Sequence, residues 1–260
     1  MARESGVAGS EAHTDDASIF GADYEPRMSA EYVERIRTWH ESALAAMKHE
    51  AGKGQTFSYL GLTLVVPPEV QPITSMSGLL GETVRSEVRA TDRVLDMGTG
   101  SGVNAILAAA TAASVVAVDT NPIALDAARN NAERNNVGKK IDFHYSDVFG
   151  AVEGSFDLII FDPPFRWFRP RDLLESATTD ENYRALRTFF KEVHQYLAPK
   201  GRVLLFFATS GDMAYLDELI AAAGFVAEVV ASRRLHKDGY LVEYQTLRLK
   251  APRTSKPAVS

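Results

Sequence analysis

From Arg93 onward the chain alternates short apolar runs rich in β-branched residues with longer amphipathic ones, and the first such pair meets at Gly98-Thr99-Gly100-Ser101-Gly102. No other feature constrains the fold as much. Parallel strands need a crossover between them, so regular alternation of strand-like and helix-like segments predicts βαβ units and one doubly wound α/β sheet. The pattern predicts strands over 93–97, 114–118, 141–145, 156–161 and 202–208, with helices over 102–111, 122–135, 182–197 and 212–223. Phe225 to Arg233 and Tyr240 to Leu249 flank a polar turn containing Asp238-Gly239, which predicts a closing hairpin and a mostly parallel sheet with a reversed final strand.

The chain before this region reads differently. Residues 1–28 are rich in Ser, Gly, Ala and acidic residues without an apolar period, which predicts a poorly ordered arm. From Ser29 a helical repeat of Tyr32, Ile36, Trp39, Ala43 and Met47 begins, then two short strands around Gly61 and a helix over Ser75 to Val88. Residues 29–89 thus form an N-terminal helix and entrance hairpin extension, 90–250 the main domain, and 251–260 a tail expected to be disordered.

Composition narrows the function. The absence of cysteine excludes disulfides, thiol catalysis and zinc-thiolate sites, and the six histidines have no metal-ligand spacing, so no metal is expected. A net charge of −6 argues against a broad electropositive face for nucleic acid. No apolar run approaches the roughly 20 residues that span a bilayer, and the first residues lack the apolar stretch of a signal peptide. No membrane association is expected, and the cytoplasm is the expected location. The oligomeric state is not legible.

The glycine turn joins the strand Val94 to Met97 to a helix, and Gly98, Gly100 and Gly102 let backbone approach a ligand closely, with Thr99 between them. A dinucleotide fingerprint would place its third glycine at 103, where this chain has Val103, and there is no Lys-Ser/Thr ending for a phosphate. Asp96 before the turn would repel pyrophosphate and suits the ammonium of an amino-acid-bearing cofactor. Asp119, with Thr120 beside it, ends the next strand where a carboxylate accepts ribose hydroxyls. Asp147 follows the third strand and can accept from an adenine amine, with Val148 and Phe149 against the ring.

After the apolar run Leu158 to Phe161 comes Asp162-Pro163-Pro164-Phe165. This tetrapeptide sets a carboxylate, a main-chain carbonyl and a ring at the edge where α/β sheets bind ligands, an arrangement suited to a planar nitrogen. Both prolines lack N–H groups and have restricted φ, so the loop is stiff and leaves its acceptors free.

Together, Asp96 to Gly102, Asp119, Asp147 and Asp162 to Phe165 resemble the successive motifs of class I S-adenosylmethionine-dependent methyltransferases, over about 90–249. The entrance region 56–80 also resembles that of the HemK-like, glutamine-methylating branch. The resemblance implies a Rossmann-like fold, S-adenosylmethionine as donor, and N-methylation of a small metabolite, an amino acid or a protein side chain. Adenine N6 methylation of RNA or DNA is the alternative, since the same motif serves there; a non-catalytic methyltransferase-like binding subunit is a third reading. Asp162 stands where the HemK-like branch has Asn, which favours a donor-rich or cationic acceptor such as a guanidine over a glutamine amide. Thr74 lies in the segment Gln71 to Ser75, which is similar in place to one lining the cofactor pocket of that branch. The following Arg166-Trp167-Phe168-Arg169 stretch is expected at the pocket mouth, with Arg166, Trp167 and Arg169 contacting substrate.

Overall fold

Val94, Leu158, Ile160 and Leu204 belong to one apolar layer, and their chain neighbours Leu95, Ile159, Val203 and Leu205 belong to another. This two-residue period on uninterrupted apolar runs is what a sheet covered on both faces requires. The computed structural model describes residues 18–52, 54–237 and 240–252.

The central sheet contains β3 (Arg93–Met97), β4 (Ser114–Asp119), β5 (Ile141–Tyr145), β6 (Phe156–Phe161), β7 (Leu197–Ala208), β8 (Val226–Lys237) and β9 (Tyr240–Lys250). Their order is β5-β4-β3-β6-β7-β9-β8. Strands β3 to β7 run parallel, and β9 runs antiparallel to both of its neighbours. The reversed last strand is therefore inserted between β7 and β8 rather than added at the rim. The chain moves outward from β3 through β4 to β5, then returns to lay β6 on the other side of β3. That reversal opens a crevice beyond the carboxyl ends of β3 and β6, where such sheets take ligands.

Helices α4 (Val103–Ala109), α5 (Pro122–Arg134), α7 (Arg184–Tyr196) and α8 (Met213–Ala222) supply the crossovers, preceded by α3 (Ser77–Glu87), with the short turn α6 (Leu173–Ser176) ahead of α7. The hairpin of β1 (Gln55–Tyr59) and β2 (Leu62–Val66) is pinned beside α5 by side chains. Asn131 exchanges two hydrogen bonds with the Val65 backbone at 2.8 and 2.9 Å, and Asn135 does the same with Thr63 at 3.1 and 2.9 Å. The two amides act as a stretch of partner strand along β2.

Residues 18–28 correct the expectation of a loose arm. A helical turn α1 (Ser18–Gly21) leads to Tyr24, which is buried among Trp167, Tyr183 and Tyr215 and donates to Asp212 at 2.8 Å. The Arg27 amide donates to the same Asp212 oxygen at 2.7 Å. One aromatic anchor and one carboxylate are enough to dock a segment whose composition has no periodicity. Residues 1–17, the turn Asp238-Gly239 and the tail 253–260 lie outside the described residues. The long helix α2 (Ala30–Ala51) is capped by Ser29, which accepts from the Tyr32 amide at 3.2 Å. It buries Ile36, Trp39, His40 and Leu44. Among the described residues no helix is long and apolar enough to cross a membrane.

Candidate active site

Gly98, Gly100 and Gly102 all have positive φ, at 68°, 55° and 86°, which turns the chain sharply from β3 into α4. Their surroundings differ. A Cβ on Gly98 or Gly100 would meet nothing within 4 Å, whereas one on Gly102 would lie 2.9 Å from the Ala128 Cβ. The first two glycines line the open cleft and the third lets α4 pack against α5. Gly102, expected to bind cofactor, thus has a packing role and does not line the cleft.

The cleft has a volume of about 370 Å³ and is bounded by the ends of β3, β4, β5 and β6. Gly98, Thr99, Gly100, Asp119, Thr120, Asp147 and Val148 line it together with Asp162 and Pro164. Asp119 accepts from the Gly100 amide and the Asn121 amide, both at 2.8 Å, which fixes its carboxylate at the cleft wall. Asp96 sits lower. It is buried beneath the turn, where one oxygen accepts from the Thr99 hydroxyl at 2.6 Å and the Ala105 amide at 3.0 Å. It supports the turn and the start of α4 rather than facing the cleft.

Burial pushes the Asp162 carboxyl up to about 7, and the nearby Asp96 charge adds to the shift. One side of Asp162 stays open to cleft water while protein packs densely around the rest. Asp96 is likewise pushed up by burial, to about 6, against the hydrogen bonds from Thr99 and Ala105. Asp119 is raised by burial, against its backbone hydrogen bonds. Among the described residues lining the cleft Arg184 is the only lysine or arginine, and it gives both ends of its guanidinium to Asp147, at 2.9 and 3.0 Å. A site so acidic suits a ligand carrying positive charge. The sulfonium and ammonium of S-adenosylmethionine fit this donor set and the open glycine cradle; a pyrophosphate fits neither.

Phe165 turns away from the cleft and packs against Phe206, Phe207 and Tyr244. Pro163 is buried outside the cleft lining. Behind the tetrapeptide, Tyr183 donates to the Phe165 carbonyl at 2.6 Å and accepts from the Asp212 amide at 2.8 Å. Asn182 and Tyr183 both hold left-handed φ, at 55° and 52°, a strained pair that the Tyr183 bridge and the Asp180 cap on α7 compensate. The outcome is that α7 begins with Arg184 facing Asp147.

This outer wall, which includes Pro170, Leu173, Thr179, Asp180, Glu181 and Arg184, had no motif to announce it. Its only sequence signal is the acidic cap Asp180 ahead of an amphipathic helix. The 166–169 stretch corrects a second expectation. Trp167 and Phe168 are buried, Trp167 against Tyr24 and Tyr183, and Phe168 beneath His40 and Arg37 of α2. Arg166 is buried over the Trp39 ring, and Arg169 is exposed beside Glu181 at 4.0 Å; none of Arg166, Trp167 or Arg169 lines the cleft. Thr74 also stays outside it, accepting from the Met76 amide before α3, while Ile73 and Ser77 contribute in its place.

Comparison with known proteins places these observations. Residues 73–236 match the family model described as methyltransferase small domain. A ribosomal protein L11 methyltransferase of Exiguobacterium sp. is 41% identical over 80 residues, 30% of this chain and 26% of that protein. The chain thus spans about a quarter of that relative's length. A Methanocaldococcus jannaschii protein named for N5-glutamine methylation of proteins is 33% identical over 180 residues, 66% of this chain and 88% of the relative. The solved L11 methylase of Lactobacillus delbrueckii subsp. bulgaricus shares the fold, with a TM-score of 0.54 and 20% identity over 72% of this chain and 83% of the other. With more than half of its length matched and a relative covered nearly end to end, the chain belongs to the methyltransferase small domain family, whose members use S-adenosylmethionine.

Proposed function

We propose that this chain transfers the methyl group of S-adenosylmethionine to a planar nitrogen of an amino acid or protein side chain. The observation that carries the reading is that Asp162 lines the same cleft as the open glycines and Asp119. S-adenosylmethionine supplies an electrophilic methyl on a positively charged sulfur. The protein's task is then to hold the acceptor in line with it and shape its lone pair. A planar nitrogen shares its lone pair with a π system and is a poor nucleophile. The Asp162 carboxylate, which lines the cleft, accepts its N–H hydrogens and draws density onto nitrogen as the bond forms. Pro164 keeps the loop rigid, and Phe165 anchors it against Phe206 and Phe207.

The relatives named above methylate, by their names, ribosomal protein L11 and glutamine in proteins. That supports a protein or amino-acid acceptor over a nucleic acid, as does a cleft in which the one arginine among the described lining residues is paired with Asp147. Ionised, Asp162 offers only acceptors and favours a cationic guanidine or amine. Incubating the protein with methyl-labelled S-adenosylmethionine and cell extract tests the reading. Label is expected in the protein or the small-molecule fraction, and label confined to nucleic acid would overturn it.

A further inference from the structure

Asp119 and Asp147 stand at neighbouring strand ends. The Ser146 amide donates to the Asp119 carbonyl at 3.1 Å, so Asp147 follows directly on the backbone contact that continues the pairing of β5 with β4. Both carboxylates line the cleft. A nucleoside whose ribose rests on Asp119 therefore extends its base toward Asp147, one strand further out.

At Asp147 the cleft offers more than a carboxylate. Arg184 donates through Nη1 to Oδ2 at 2.9 Å and through Nη2 to Oδ1 at 3.0 Å, and Arg184 lines the same cleft. Stability does not account for this pair. The two side chains are 58% and 51% exposed, a setting in which ion pairs contribute little, and Arg184 opens α7, where the helix dipole disfavours a cation. The chain nevertheless aims it there from the left-handed pair Asn182 and Tyr183. Strain of this kind persists where a site needs the geometry it produces.

Counting hydrogens shows what the pair has left to offer. A fork of this kind uses one hydrogen from each Nη and one lone pair on each oxygen, so each nitrogen keeps a second hydrogen and each oxygen a further lone pair. An acceptor and a donor thus lie side by side. The amine edge of adenine is their complement, an N–H donor beside a ring-nitrogen acceptor, N1 on one side of the amine and N7 on the other. Guanine has an oxygen acceptor in place of that amine and fits poorly.

We propose that Arg184 is a cofactor-recognition residue: Asp147 accepts from the adenine amine while Arg184 donates to the ring nitrogen beside it, so that the pair selects adenine on S-adenosylmethionine. This rests on S-adenosylmethionine as the donor and adds to its site a residue of the outer wall. Tyr183, the residue before, donates to the Phe165 carbonyl at 2.6 Å. One strained turn therefore aims Arg184 at the base and anchors the tetrapeptide that faces the acceptor.

The test is a calorimetric titration of the full chain with S-adenosylhomocysteine and with its two analogues in which N1 or N7 is replaced by C–H. The wild type is expected to bind one analogue about tenfold more weakly than the parent, and the analogue affected tells which edge is read. In Arg184→Met the same replacement should weaken binding no more than about threefold, with the melting temperature unchanged because the pair is exposed. Arg184→Lys keeps a charge at the start of α7, yet its single nitrogen lacks the fork, and the preference should fall as far. The assignment is overturned if the wild type loses less than about threefold on both replacements, or if either variant keeps more than about a third of the wild-type preference, since another donor then reads the ring nitrogen. Failure to bind S-adenosylhomocysteine at all removes the cofactor reading with it, whereas binding without the Arg184 dependence removes this assignment alone.

Discussion

Asp119 accepts the amide hydrogen of Gly100 across 2.8 Å, so the end of β4 and the turn after β3 are held as one wall of the cleft. Its remaining lone pairs are available to two neighbouring hydroxyls, as on a ribose. Asp119→Ala is expected to weaken S-adenosylmethionine binding at least tenfold, about 1.4 kcal/mol. Calorimetry checks this, and an unchanged Kd would remove Asp119 from cofactor recognition.

Asp162 faces the acceptor rather than the adenosine end of the cleft in the proposed mechanism. Asp162→Ala should therefore leave the Kd for S-adenosylhomocysteine within about threefold and lower turnover by about 10²-fold or more. Full activity in the variant would rule out the proposed role.

The raised pKa values give binding a pH dependence with a definite sign. Asp162 in the fold keeps its proton up to about 7, against an ordinary 3.8. Between those limits the native state binds a proton that the unfolded chain has released, so this group's contribution to stability falls as pH rises through the window. A cation in the cleft favours the ionised form. Affinity for S-adenosylmethionine should thus rise from pH 5 to above 7, while that for S-adenosylhomocysteine, which lacks the sulfonium charge, should rise less. Parallel titrations at several pH values measure the difference, and equal slopes for the two ligands would refute it.

The glycines of the turn separate into two phenotypes. Gly102→Ala forces a Cβ against Ala128 and should lower unfolding stability by about 1–3 kcal/mol. Gly100→Ala meets no protein atom but places a methyl in the cleft, so it should reduce cofactor affinity with a smaller loss of stability, about 1 kcal/mol from its positive φ. Denaturant melts and calorimetry on both variants distinguish the two.

The central strands β6 and β7 were legible because they bury both faces and carry unbroken apolar runs, as in Leu158-Ile159-Ile160-Phe161. The tetrapeptide and the glycine turn were legible because their geometry is local. What sequence reading missed depends on distant partners. Arg166-Trp167-Phe168-Arg169 looks like an exposed rim, yet α2, more than a hundred residues earlier, covers most of it. Tyr24 reads as part of a formless arm until Tyr183 and Tyr215 surround it. Arg184 is an ordinary helix arginine until the left-handed pair Asn182-Tyr183 turns it toward Asp147. Gly102 reads as one more ligand glycine, and only the approach of α5 reveals its other use.

The place of β9 also bears on how the molecule is made. Because Tyr240–Lys250 pairs with both β7 and β8, the sheet stays divided until this late segment of the chain has been synthesised and slotted in. A product cut short before Tyr240 would leave β7 with a bare row of backbone donors and acceptors, the kind of edge that recruits other chains. Such fragments are therefore expected to clump rather than persist as half-active enzyme, and completion of the strand serves as the fold's own proofreading step.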